Sequence, residues 1–287
     1  MYGFLGMSFG GYDMILQDIL GGVVFFWLLK SLYQRLFRRI DLNEELFVRD
    51  NVAVAVALIG FLLGAFLALG GAVSGLPPDH GNPILAEYAF AVVGCMLAGA
   101  IIGDRLLLRS CDCFREICID RNAGAGFAEG GVHVANGLMT GACLAGDSGT
   151  WLVGGMCWGA GMIVLIIAGR LYPLFARFDV FAELRDRNNL AAGIALSGFL
   201  VAVGNILRIS FAGDFRGWRS SLTEYAMTLL VCIVLLGVVR WLADAILVPG
   251  VRLKDEIAHQ KVPNIGAGII EAFSYITGSF LIGLAFP

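Results

Sequence analysis

The sequence predicts an all-α membrane protein with eight transmembrane helices in two parallel four-helix repeats. Three observations carry this. Of the 287 residues 58% are hydrophobic and only 15% charged, with a mean hydropathy of +0.80; a soluble domain carries about a quarter charged residues. Apolar segments of the length a membrane-spanning helix needs, about 20 residues, recur along the whole chain. The motif Asn-x-Gly-Ala-Gly-x-x-Glu stands at 122–129 and again at 264–271, each time opening the last apolar segment of its half.

The spans are read at 14–34, 51–74, 84–108, 123–145, 150–171, 189–212, 222–247 and 264–285. The first ten residues hold no Lys or Arg, which argues against a secretory leader with a positive start; the first segment is therefore read as a retained span. The third and seventh segments are long. Their ends, from Asp104-Arg105 and from Arg240 to Asp244, are expected to emerge as interfacial helix, with Arg240 and Asp244 paired four residues apart.

Basic residues set the sidedness. The connections after spans 1, 3, 5 and 7 hold all 20 Lys and Arg except Arg208, Arg216 and Arg219. Those four connections share one face of an eight-span chain, so that face is expected in the cytoplasm and both termini in the periplasm. Gly75–Pro83 reads as a turn-rich outer loop, and Gly146–Gly149 as the tight turn between halves. Acidic and basic residues at 41–50 and 179–187 read as short interfacial helices with a solvated face. Glu87 and Glu224 suit the N-terminal ends of spans 3 and 7.

The halves, 1–146 and 147–287, match residue by residue. Asp41, Glu45-Leu46, Arg49, Asn51-x-Ala53 and Gly60-Phe61-Leu62 recur as Asp179, Glu183-Leu184, Arg187, Asn189-x-Ala191 and Gly198-Phe199-Leu200. Glu87-Tyr88-Ala89 recurs as Glu224-Tyr225-Ala226, and Glu116-Ile117 as Glu256-Ile257. Four spans per half, an even number, keep both halves in one orientation, related by an axis along the membrane normal.

Those blocks, with the two Asn-x-Gly-Ala-Gly-x-x-Glu motifs, resemble the YjfL-like family of bacterial inner-membrane proteins, whose repeat is a domain of unknown function. The resemblance covers nearly the whole chain as two tandem copies. It implies an inner-membrane location and, from gene neighbourhoods, an envelope-related role. It brings no catalytic residues.

Stepping along span 4 by helical spacing places Asn122, Gly126, Glu129, His133, Asn136 and Thr140 on one face, over about 27 Å. In span 8 the same steps give Asn264, Gly268, Glu271, Tyr275, Gly278 and Ile282. A carboxylate this deep must face protein or water. Asn122, Glu129, His133, Asn136, Thr140, Asn264, Glu271 and Tyr275 are thus the candidate polar path, suited to protons or small cations. The competing reading is a hydrogen-bonded group that holds helices together. Asn122 and Asn264 are expected to cap their helices; a phosphate cradled by Asn-x-Gly-Ala-Gly is the weaker alternative.

The pairs Gly60/Gly64, Gly99/Gly103, Gly126/Gly130, Gly137/Gly141 and Gly155/Gly159 have the small-residue spacing that lets helices approach closely, within one chain or a homo-oligomer. Cys111, Cys113 and Cys118 match no standard zinc spacing and are expected to be reduced thiols. No metal or cofactor is expected.

Two function classes follow. One is a proton or small-cation pathway through Glu129 and Glu271. The other is a non-transporting scaffold that recruits peripheral proteins to its cytoplasmic face. No metalloprotease, nucleophile-elbow or paired intramembrane aspartate pattern supports an enzyme, and no basic–aromatic pattern supports a nucleic-acid partner.

Overall fold

The computed structural model describes residues 9–36, 41–74, 76, 82–145 and 150–286. The turn expected at 146–149, most of the loop at 75–83, and Arg38 and Arg39 lie outside the described residues. The chain forms two compact units, Met1–Asp41 and Leu42–Pro287. The first contributes α1 (Phe9–Leu36). The second holds α2 (Val52–Val73), α3 (Asn82–Ile102), α4 (Ala123–Leu144), α5 (Trp151–Ala176), α6 (Val180–Arg187), α7 (Leu190–Ser210), α8 (Trp218–Leu247), α9 (Leu253–Ala258) and α10 (Ile265–Gly283). Short π-helical turns lie at Glu44–Val48, Gly103–Leu107 and Arg115–Ile119. Among the described residues no strand is present.

Six of these helices are long and apolar enough to cross a membrane: α2, α3 with the turn after it, α5, α7, α8 and α10. In α4 the 22 residues include Glu129, His133, Asn136, Thr140 and many glycines, which dilute its apolarity. Nearly every α4 side chain is buried against protein.

A Glu–Asn joint recurs at four helix starts. Asn51, Asn122, Asn189 and Asn264 donate from Nδ2 to the carboxylates of Glu45, Glu116, Glu183 and Glu256, at 2.9, 2.9, 2.7 and 3.1 Å. The Asn backbone N–H donates to the carbonyl of the same Glu each time. The Asn side-chain oxygen accepts from the first turn of the following helix, so each Asn is an N-cap. Asp50, Arg121 and Asn188, each just before the capping Asn, take the left-handed conformation that turns the chain into the helix (φ 50°, 51° and 49°).

The joint also reaches forward. Asn51 donates to the Ile117 carbonyl at 3.0 Å, Asn122 to Leu184 at 2.7 Å, and Asn189 to Ile257 at 2.8 Å. Each acceptor is the residue after the next Glu. The segments expected to be solvated at 41–50 and 179–187 are therefore partly closed: Leu42, Glu45, Val180 and Leu184 are buried. The carboxylate that marked a water-facing helix is instead occupied by an asparagine.

From these starts α2, α4, α7 and α10 pack side by side in that order. Ala53 meets Gly126, Gly60 meets Gly130, and Gly71 meets Gly141. At the next seam Gly124 meets Gly193, Gly131 meets Ser197, and Ala135 meets Gly204. At the third Ala191 meets Gly268, Gly198 meets Ala272, and Ile209 meets Gly283. Early residues meet early ones and late meet late, so the four helices run in the same direction. A Cβ on most of these glycines would overlap the neighbouring backbone, which is why small residues stand there.

The outer faces differ. Where internal seams have Gly130, Ser197 and Ala272, α2 has Ile59; where they have Gly60, Gly131 and Gly198, α10 has Phe273; both bulky residues are more than half exposed. The other long helices lie over the row: α3 on α2 and α4, α5 on α4 and α7, α8 on α7 and α10. Gly99 and Gly103 of the α3 segment sit against Asn136 and Val132. Gly155 and Gly159 have nothing within 4 Å, so this fifth pair makes no close approach. Spacing alone does not tell which face of α5 looks outward.

Candidate functional site

α4 carries the candidate path through the middle of the row, with α2 on one side and α7 on the other. One helical turn sets Glu129 below His133, and His133 Nε2 lies 3.3 Å from Glu129 Oε1. Both are almost wholly buried, at 4% and 1% exposure. Phe61 of α2 closes on the imidazole edge-to-face, with centroids 5.4 Å apart. One turn further, Asn136 Oδ1 accepts from Trp158 Nε1 at 2.9 Å and from Thr140 Oγ1 at 3.4 Å. Its Nδ2 donates to the Cys95 carbonyl at 3.2 Å. Beyond Thr140, a cavity of about 410 Å³ opens against Ala142 and Cys143, lined also by Tyr88, Trp151 and Tyr225.

Asp104, from the turn after α3, and Cys113 lie near Glu129 and are hydrogen-bonded to each other. The Cys113 thiol is held well above its usual range, first by burial and then by the nearby Glu129 and Asp104 carboxylates. The order along α4 is therefore the Glu129–His133 pair, the Asn136–Thr140 pair, and the cavity.

Glu271 occupies the matching place in α10 with different company. Tyr172 Oη of α5 donates to it at 3.1 Å, and Arg240 of α8 forms an ion pair with it at 3.4 Å. Arg240 also pairs with Asp244 and lies over the Tyr275 ring at 5.3 Å. Tyr275 stands where α4 has His133. Two carboxylates equivalent in sequence thus have unlike partners: an imidazole in one half, a guanidinium and a phenol in the other.

The eight candidate residues do not form one path. Glu129, His133, Asn136 and Thr140 come together along α4. Glu271 and Tyr275 make a second cluster around Arg240. Asn122 and Asn264 belong to the Glu–Asn joints as helix caps. Gly124 and Gly126 of the first motif press against Asn189 and Ala53, which leaves no room for a phosphate there. Sequence spacing did not find Trp158, Tyr172 or Arg240 as partners, because each comes from another helix; the polar residue inside an apolar segment was the only signal.

Among the described residues no cluster of three or more His, Cys, Asp or Glu side chains could hold a metal ion. Cys111, Cys113 and Cys118 are free thiols. Burial pushes Cys111 up to about 11 and Cys118 to about 12.

A row of close-packed helices with buried ionisable groups, overlaid by long apolar helices, is the architecture of a polytopic membrane protein. The chain belongs to the Domain of Unknown Function family DUF350, whose model matches it twice, over residues 8–144 and 149–286. It is also similar to a UPF0719 transmembrane protein of Aquifex aeolicus (strain VF5), 24% identical over 270 residues that span 90% of this chain and 96% of that protein. No solved structure matches it.

Proposed function

We propose that this chain is an eight-span protein of the bacterial inner membrane in which α4 carries protons or small cations. Its two four-helix repeats lie parallel, with both termini in the periplasm. The shared direction of α2, α4, α7 and α10 supports the parallel repeats, and the basic connections support the orientation.

The observation that carries the pathway is the buried Glu129–His133 pair at 3.3 Å. A carboxylate and an imidazole at this distance can exchange a proton, and the charge on each depends on where it resides. The Asn136–Thr140 pair and the cavity continue the polar line from there. Glu271 is assigned a structural role instead, since Arg240 and Tyr172 hold it in place. No bond-making step is assigned to any of these residues.

Proton and cation flux into proteoliposomes is the test. Wild type is expected to dissipate an imposed gradient. Glu129→Gln and His133→Ala are expected to lose most of that flux while remaining folded. Absence of wild-type flux under every gradient tried discards the pathway. A scaffold is the second reading, favoured by the exposed arginines Arg115, Arg121 and Arg185 on the jointed connections. Capture of a peripheral protein, lost on their replacement, would support it.

A further inference from the structure

A second concave site lies in the latter half of the chain and is not part of the α4 line. It is a cavity of about 500 Å³ between the end of α5, α8, the start of α9, and α10. Four cations line it: Arg177, Arg240, Arg252 and Lys254. Two carboxylates, Asp244 and Glu271, also line it, and both are engaged by Arg240. Among the described residues, no carboxylate lies within 4 Å of Arg177, Arg252 or Lys254. Asp255, the acid next to Lys254 in the chain, is turned to His259 at 2.9 Å.

The floor of the cavity is thus neutralised, while at its mouth Asp255 is the acid that Lys254 and Arg252 feel, and it is shared with His259. Three positive side chains from two separate segments converge on the mouth, in the arrangement that recognises a compact anion with several oxygens. Phe175 and Val251, both exposed, stand at the same mouth and give it an apolar edge. Among the described residues of the first half, two of these cations have no counterpart. Where α9 presents Arg252 and Lys254, the matching residues before Glu116 are Asp112 and Phe114. An acid and an aromatic there would repel an anion or leave it without a donor.

We propose that this cavity binds a phosphate-bearing anion, held by Arg177, Arg252 and Lys254. The phosphate group is either the headgroup of an anionic phospholipid or a free phosphate, and both present the same oxygens to the three cations. The apolar edge at Phe175 and Val251 suits a lipid whose chains remain in the bilayer.

The test uses the full chain and two probes. In nanodiscs mixing phosphatidylglycerol with phosphatidylcholine, retained lipids are counted by native mass spectrometry after extraction. In detergent, inorganic phosphate is titrated and binding is followed by calorimetry. Two variants are compared with wild type: Arg252→Ala/Lys254→Ala, which touches only the mouth, and Lys261→Ala, a basic residue outside the cavity. Loss of two basic groups is expected to weaken retention of phosphatidylglycerol by roughly thirtyfold, with Lys261→Ala close to wild type. A matching loss in the phosphate titration, with lipid retention unchanged, assigns the site to free phosphate. If neither probe distinguishes the double variant from wild type, or if Lys261→Ala weakens binding equally, the proposal is overturned. Arg177→Asn, which keeps the left-handed backbone at that position (φ 61°) comfortable, is expected to reproduce the loss from the opposite wall.

Discussion

The Asn122 carboxamide donates to the Glu116 carboxylate across 2.9 Å, and both side chains are buried. The same nitrogen reaches the Leu184 carbonyl at 2.7 Å, and the oxygen accepts from the Ala125 N–H. One side chain therefore closes a loop, starts a helix and ties to the next unit. Asn122→Ala removes a cap and strands a buried carboxylate, at a cost of about 2–4 kcal/mol. Asn264 is exposed, and Asn264→Ala is expected to cost about 1 kcal/mol or less. Thermal unfolding in detergent should rank the two in that order.

Glycine position matters more than glycine spacing. A Cβ at Gly137 would strike the backbone of Gly64, whereas one at Gly155 would meet nothing within 4 Å. Gly137→Ala is expected to force α2 and α4 apart and destabilise by about 1–3 kcal/mol. Gly155→Ala should be neutral or slightly stabilising through its better helix propensity. Equal melting temperatures for the two would contradict the seam described here.

The Glu271–Arg240 pair is expected to behave as a couple. Removing Arg240, as in Arg240→Met, leaves the buried Glu271 carboxylate without its cation and should cost about 3–5 kcal/mol, whereas Glu271→Leu should cost less because Asp244 still pairs with Arg240. Adding Glu271→Leu to Arg240→Met removes that stranded carboxylate and should recover much of the loss. A double-mutant cycle on unfolding free energy measures the coupling; strict additivity would mean that the pair contributes nothing.

Raised thiol pKa values set a pH dependence for Cys111 and Cys118. Only the thiolate reacts with alkylating agents. Relative to an ordinary thiol at 9.0, a thiol at about 11 holds roughly a hundredfold less thiolate at pH 8. Alkylation in the folded protein should stay slow at pH 8 and rise toward pH 10, whereas the denatured chain should react quickly throughout. Mass spectrometry of the modified peptides reads both.

Much of this was legible in the residues. Long apolar segments gave the helices their places, and Asn122 and Asn264 announced the caps they form. Gly60 and Gly198 were visible as equivalents, and both sit at the same point of their seams. The four-fold recurrence was less visible. Glu45 was matched to Glu183 and Glu116 to Glu256, yet the spacing Glu-x5-Asn shared by Glu45–Asn51, Glu116–Asn122 and Glu183–Asn189 becomes Glu-x7-Asn at Glu256–Asn264, and little else is shared between the units within a half. Around Glu271, Tyr275 on the same face and the Arg240–Asp244 pair were legible, but their meeting with one another and with Tyr172 was not. Tyr172 is 99 residues away, and nothing local tells that Arg240 will turn inward rather than stay at an interface.

The joints have a polarity. Asn51, Asn122 and Asn189 reach onward to the following carbonyl, whereas Asn264, in the last joint, bonds only to Glu256 and its own helix among the described residues. A closed ring would set its own number; an open row does not. On the two flanks Ile59 and Phe273 stand where the internal seams have small residues, a bulk that opposes the close nesting of a further helix. Trimming those two side chains to glycine would remove that bulk from the first and last helices of the row.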